Sequence, residues 1–315
     1  MTDSATAERV LSDIADYRSA RSASLNAKLR ALPKAYVESI RLYQEPMLQW
    51  TLIHHLYRTA LQAAKSSNDD IAHQRLASWL PDAARAGTSV EQFPAVVDKA
   101  HTIAVRIGAD EAPLNVLDPL AIDHGASIEG SSAVAGSIAV LEHIGYGSIV
   151  RNATGAVVLM KRIDFGAEAN SWTTTALPGT VYLDWYPNPE ILAKEVLHES
   201  VHLWLNDAIE ARRLTFAPEE LYYSPWKERK RSSYAMFHSV AAFSHITNYL
   251  AKLHGTTADP MVREYCQIRV DQERDRLSSA YEAIQRTLGA VGDQEIADLI
   301  RCEYAEALDG SRPQG

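Results

Sequence analysis

Residues 188–211 read NPEILAKEVLHESVHLWLNDAIEA, and this stretch decides how the rest of the chain is understood. Asn188, Pro189 and Glu190 make a helix start. They supply a side chain that can cap free N–H groups, a ring whose missing N–H is harmless at the first helical position, and an acid at the positive end of the dipole. The apolar residues that follow recur at three- and four-residue spacing, which predicts an amphipathic helix to about Ala211. Near its middle stands His198-Glu199-Ser200-Val201-His202, an HExxH motif. Four residues make about one helical turn and bring the two histidine Cβ atoms to roughly 5–6 Å on one face. Two imidazoles so placed can bind one metal ion, with Glu199 as the base on a metal-bound water or as an orienting neighbour. In a chain of 315 residues with 11 histidines, chance yields the motif only about 0.03 times.

Upstream of this helix the pattern is one of short strands. β-branched or alternating runs at 114–122, 147–152, 156–163, 171–176 and 180–185 are separated by Gly, Pro and Asn. They predict a small mixed or antiparallel sheet. Residues 132–144 read as a helix between the first two runs. Asn152-Ala153-Thr154-Gly155 reads as a hairpin turn joining 148–151 to 157–160. Before about residue 110 the periodicity is helical, over 5–32, 34–65, 70–80 and 90–107. Pro33 and Pro46 break the first segments, and Pro81 and Gly87 punctuate the last gap. Downstream of the motif, 216–231 reads as a loop containing Pro218 and Pro225, and helices follow over 232–254, 260–288 and 293–308. The expectation is a predominantly helical α+β protein. A helical N-terminal region (1–110) precedes an α+β metal-binding catalytic region (111–315), which has a small central β-sheet and a helical C-terminal half bearing the HExxH helix.

Composition narrows the function classes. Hydrophobic residues at 46% and charged residues at 23% are ordinary globular values and argue against a disordered or fibrous chain. The formal net charge of -9 opposes a phosphate backbone, so no nucleic-acid partner is expected. The one dense basic cluster, Lys227, Arg229, Lys230 and Arg231, is too short to suggest otherwise. Cys266 and Cys302 form no CxxC and no disulfide framework, which suits a reducing compartment. The start Met1-Thr2-Asp3-Ser4-Ala5 lacks the features of a secretory signal, and no apolar run is long enough to span a bilayer. A cytoplasmic protein without a membrane partner is expected. Amphipathic helices of this length can serve a homodimer interface as readily as a core.

A metal site needs a third ligand. The longer HExxHxxGxxH pattern is absent, since Leu205 and Ala208 stand where its Gly and second-turn His would be. Glu219 and Glu220 are available but lie in the Pro-containing loop. His238 and His245 lie seven apart on the next helix, on roughly one face, with Ala241 and Ala242 leaving room nearby. His238, within two turns of the helix start, is the more natural ligand. In the loop before it, Tyr223-Ser224-Pro225-Trp226-Lys227 leads into cations that can hold an anionic ligand; a guanidinium pairs with a carboxylate through two parallel bonds.

The ordered set Leu197-His198-Glu199-Ser200-Val201-His202-Leu203, then Tyr223-Ser224-Pro225-Trp226-Lys227, then Arg231, then Phe237-His238-Ser239-Val240 and Phe243 resembles the HExxH-motif domain proteins. These are 2-oxoglutarate-dependent iron enzymes that β-hydroxylate residues in ribosomally made peptides. The resemblance covers about residues 187–250. It implies His198, His202 and His238 as ligands of Fe(II), and Arg231 as the cation for the distal carboxylate of 2-oxoglutarate. The sequence departs from the family pattern at three places. Lys227 replaces an arginine after Trp226, Ser239 replaces a glycine, and Arg229 and Lys230 replace acidic and proline residues. Whether Arg231 or Lys227 binds the cosubstrate therefore stays open, as does whether Glu199 ligates the metal.

Two enzymatic readings and one non-enzymatic reading result. The first is an Fe(II)- and 2-oxoglutarate-dependent oxygenase hydroxylating an unactivated carbon of an amino-acid residue in a peptide or carrier-bound substrate. The alternative is a zinc metallopeptidase with Glu199 as general base. The third is a binding protein without catalysis. Trp226, Tyr223, His245 and Asp184 are candidates for a substrate pocket. His54-His55 cannot face one metal from adjacent helix positions and reads as structural. No glycine pattern matches a phosphate loop.

Overall fold

The computed structural model describes residues 4–65, 70–80, 93–105, 112–217 and 219–309. The chain is a predominantly helical α+β protein with a small mixed sheet. It divides into two compact units: Arg18–Ile138 with Val150–Leu192, and Met1–Tyr17 with Ala139–Ile149 and Ala193–Gly315. Each unit draws on residues from either side of position 110. The expected boundary itself falls within 106–111, outside the described residues.

The helices α1 (Ser4–Lys28), α2 (Ala35–Arg41), α3 (Pro46–Lys65) and α4 (Asp70–Ala77) follow the apolar periodicity. Pro46 is the first residue of α3, where a missing N–H costs nothing, so it divides the segment instead of kinking it. The expected helix over 90–107 is not formed. Its described part holds strand β1 (Ala95–Asp98), one 3-10 turn and strand β2 (Ile103–Val105). Ala95, Val96 and Val97 are buried beside a strand of distant sequence, and that pairing outweighs the local period. Pro81 and Gly87 lie outside the described residues.

Strand β3 (Leu114–Val116) pairs with β2, and α5 (Pro119–His124) takes over where the strand was expected to continue. The Asp118 carboxylate accepts from the Ala121 N–H at 2.8 Å and Pro119 opens the helix, so the break is a local capping effect. Then come α6 (Ile128–Ile144) and α7 (Gly147–Ala153). The expected strand at 147–152 and its hairpin are thus corrected to a helix. Thr154 N–H returns to the Val150 carbonyl, and the next two N–H groups both go to Gly179 O.

Strands β4 (Ala156–Arg162), β5 (Ser171–Trp172) and β6 (Thr180–Trp185) complete a sheet of order β1-β4-β6-β5. The first two pairings are parallel and the last antiparallel. Every residue of β6 is buried, as expected for an internal strand covered on both faces. Helix α3 lies close to this sheet. A Cβ on Gly179, which already has a φ of +79°, would collide with Thr51 Oγ1. His55 secures the same junction. Its Nε2 pairs with Thr180 Oγ1 at 2.8 Å, and its Nδ1 accepts the Leu117 N–H at 2.9 Å.

After β6 come α8 (Pro189–Arg212), strands β7 (Leu221–Ser224) and β8 (Arg229–Ser232), α9 (Ser233–Thr256), α10 (Pro260–Ser279), α11 (Tyr281–Ala290) and α12 (Gln294–Asp309). Helix α9 packs against α10, α11 and α12. The single helix expected over 260–288 breaks at Ala280. Among the described residues no helix is long and apolar enough to cross a membrane.

Candidate metal centre

Helix α8 begins as its sequence dictates, with Asn188 Oδ1 accepting the N–H groups of Glu190 and Ile191 at 2.9 and 3.1 Å. Its body is more deeply buried than an amphipathic pattern alone requires. Val196, Leu197, Val201, Leu205 and Ala208 are fully buried, and Glu199 is only 3% exposed. Lys194, His198, His202 and Asn206, each four residues after the last, form a partly open polar lane. The HExxH histidines therefore occupy a polar stripe of a largely buried helix.

The His198 and His202 Nε2 atoms face each other at 3.1 Å. Two nitrogens bound to one ion at about 2.1 Å would stand roughly 3.0–3.4 Å apart, so this pair has the spacing of two ligands. His238, on α9, brings its Nδ1 to 3.1 Å from the other nitrogen of His202. The three rings run in a row with His202 in the middle and do not point at one centre. Among the described residues no group of three or more His, Cys, Asp or Glu side chains already forms a metal-holding arrangement. His238 Nε2 is buried without a hydrogen-bond partner in the structure. In donor chemistry the trio suits a transition metal: two nitrogens at ligand spacing and a third imidazole in contact with one unused nitrogen.

All three imidazoles are held neutral. The surrounding protein desolvates His198 and, with the charges of Lys194 and Lys227, lowers its pKa to about 3. Desolvation is also the main cause of the depressed values of His202 and His238, followed by the neighbouring imidazole and Arg231. These same effects map the cations: Lys194 and Lys227 act on His198, and Arg231 acts on the other two. Burial opposes the charge of Lys194, but Glu195 at 2.7 Å, together with Tyr265, keeps it protonated.

The expected loop at 216–231 is instead a β-hairpin, with Tyr222 opposite Arg231 and Ser224 opposite Arg229. Tyr222, Ser224 and Arg231 share one face of the ribbon, and Ser224 is fully buried. Tyr223 and Lys230 share the other, and Tyr223 is 57% exposed. The pleat therefore separates the pocket candidate Tyr223 from Arg231. Ser232 ends the ribbon and caps α9, accepting the Ala235 N–H at 3.3 Å. One residue thus links the Arg231 strand to the His238 helix.

Trp226, in the hairpin turn, stacks on Phe243 with ring centroids 4.6 Å apart and planes 6° from parallel. Phe243 meets the His198 ring edge-on at 5.2 Å. His245 is turned to other work: its Nδ1 pairs with Ala241 O at 2.8 Å and its ring packs on Tyr146. Asp184 is committed within the sheet, accepting from Lys161 N–H, Asn170 N–H and Asn170 Nδ2. Glu219 and Glu220 are exposed, and Glu220 takes the Tyr222 hydroxyl at 2.6 Å.

Several neighbours are not among the residues the sequence singles out. Tyr234 lies against His238, with ring centroids 4.4 Å apart and planes tilted by 46°, and donates its hydroxyl to Asn206 Oδ1 at 2.9 Å. The four-residue spacing of Lys194, His198, His202 and Asn206 was the available signal for that lane. Glu273, on α10, had no such signal. A scan against protein-family models finds no match to this chain, and a search of curated proteins finds none either. Fold and site together define a predominantly helical α+β protein with a row of three desolvated histidines that feel the charges of Lys194, Lys227 and Arg231.

Proposed function

We propose that the protein is an Fe(II)- and 2-oxoglutarate-dependent oxygenase that hydroxylates an unactivated carbon, at the β-position of an amino-acid residue in a peptide or carrier-bound substrate. The observation that carries this reading is the row of three neutral imidazoles, two with ligand-spaced nitrogens, lying within the fields of Lys194, Lys227 and Arg231. Neutral imidazoles bind a metal without first losing a proton, and flanking cations favour an anionic cosubstrate. The resemblance over residues 187–250 points the same way.

In this reading His198, His202 and His238 hold the metal. Iron with 2-oxoglutarate supplies the oxidising power for C–H hydroxylation, with succinate and carbon dioxide as co-products. Arg231 pairs with the far carboxylate through its planar fork, and Lys227 adds charge from the hairpin turn. Glu199, buried beside the two motif histidines, orients what binds there. Trp226 and Phe243 wall the site and exclude water from the His198 side. The zinc peptidase alternative asks for an acidic third ligand, and the exposure of Glu219 and Glu220 gives it less support. A cytoplasmic setting belongs to the same reading, supported by Cys266 and Cys302 forming no disulfide.

The test is aerobic incubation with iron(II) and 2-oxoglutarate, measuring succinate. Succinate formation dependent on both is expected, even uncoupled from a substrate. Peptide cleavage with zinc and no keto acid would overturn the reading. His238→Ala should abolish metal loading, whereas Arg231→Ala should raise the Kd for 2-oxoglutarate about tenfold or more while metal binding persists, as expected for loss of a charge-assisted pair. Full iron affinity in the first variant, or unchanged cosubstrate binding in the second, would reject those assignments.

A further inference from the structure

Glu273 is completely buried, yet it carries a carboxylate and lies on a different helix from any of the histidines. Its Oε1 accepts from Arg269 Nη2 and Arg276 Nη1, both at 2.8 Å. Those two guanidiniums account for its burial, because an unpaired buried charge would be strongly unfavourable. The second oxygen, Oε2, is left for one more donor, and at 2.8 Å it takes the indole Nε1–H of Trp226. This fixes the indole at one edge, while stacking on Phe243 fixes its plane. Phe243 in turn bears on the His198 ring.

Lys227 follows Trp226 in the hairpin turn, and its field already acts on His198. The turn is closed by the pairing of Ser224 with Arg229 and by the Lys227 N–H to Ser224 O at 3.2 Å, and Glu228 within it sits in the left-handed region at a φ of 49°. The indole is the turn's deep anchor. We propose that Glu273 is a positioning residue of the metal centre. Through Trp226 and Phe243 it sets the His198 imidazole, and through Trp226 it sets Lys227. The inference rests on the oxygenase reading for its purpose, but the linkage it asserts is structural and can be tested without metal or cosubstrate.

A bland role, in which Glu273 merely neutralises two arginines in the helical core, predicts general loosening. The proposal predicts a directed effect. Metal-free protein labelled with 15N-histidine is compared at one fixed pH, with the His198 signals assigned from His198→Gln and those of His55, which belongs to the other compact unit, used as a reference. Glu273→Gln keeps the volume but removes the charge that collects three donors. Trp226→Phe keeps a ring to stack on Phe243 but removes the indole N–H, and it serves if the first variant fails to fold.

The expected result is displaced His198 signals in both single variants with His55 unmoved, and a double variant no more displaced than Trp226→Phe alone, since both changes cut one linkage. Unmoved His198 signals would overturn the proposal. So would equal movement at His55, or displacements that add in the double variant. Failure of succinate formation in the wild type counts against the oxygenase reading alone. Displaced His198 signals in that case would still support the linkage.

Discussion

At the residue scale, the property that matters most is that His198, His202 and His238 are uncharged near neutral pH. Ordinary histidines, with pKa near 6.5, lose metal as the pH falls through 6.5, because protons compete for the same lone pairs. Here the metal-free imidazoles already resist protonation, His198 down to about 3. Cobalt(II) affinity, measured by equilibrium dialysis, should therefore be nearly constant between pH 7.5 and 5.5. A tenfold or greater loss over that interval would show that the three rings are not held neutral by their surroundings. The motif histidines were legible because four-residue spacing on a helix has one geometric meaning. His238 is reachable as a candidate. Its approach to the far nitrogen of His202 is not, because ring orientation depends on packing from other elements: Tyr234 lies against His238 and Phe243 against His198.

At the scale of elements, the hairpin of β7 and β8 carries Arg231 and Trp226, yet its sequence reads as a loop. Its strands are four residues each, and Pro225 and the dense charge of 227–231 hide the alternation that marks a strand. What makes it a ribbon is pairing, which no window of one strand contains. Two local features of the ribbon can be tested. Glu228 adopts a left-handed conformation that favours glycine, so Glu228→Gly should stabilise the protein by about 1 kcal/mol. Ser232 caps α9 with its hydroxyl, so Ser232→Ala should cost about 1 kcal/mol. Urea unfolding of the two variants measures both. A destabilised Glu228→Gly would mean that its carboxylate contributes more than its backbone conformation costs.

At the scale of the whole molecule, burial of histidine makes the fold sensitive to acid. In the sheet-bearing unit, desolvation lowers His55 to about 3 and His54 to about 4, against 6.5 when unfolded. The sign follows from proton counting: below pH 6.5 the unfolded chain takes up protons that the folded chain refuses. The stability these groups contribute is complete above pH 6.5 and declines as pH falls toward 3–4, at about 1.4 kcal/mol per pH unit for each histidine. Urea midpoints at pH 7.5 and 4.5 should differ accordingly. His55→Gln should lower stability at pH 7.5, by losing the bonds to Thr180 and Leu117, yet shrink the difference between the two pH values. An undiminished pH difference in that variant would show that His55 is not one of the groups responsible.

The sequence by itself determined what local chemistry can enforce: the helix start at Asn188, the four-residue spacing of His198 and His202, the strand at 180–185 and the helical character of both ends of the chain. Capping, steric restriction and periodicity act within a few residues, so they can be read from a single segment. Tertiary structure decided the rest. It turned 95–98 into a strand by pairing it with β4, buried most of α8, and folded a charged loop into a ribbon. It also brought Glu273 to Trp226 across 47 positions of chain. Those outcomes depend on surfaces supplied by distant residues, whose burial and pairing energies outweigh local preference wherever the two disagree.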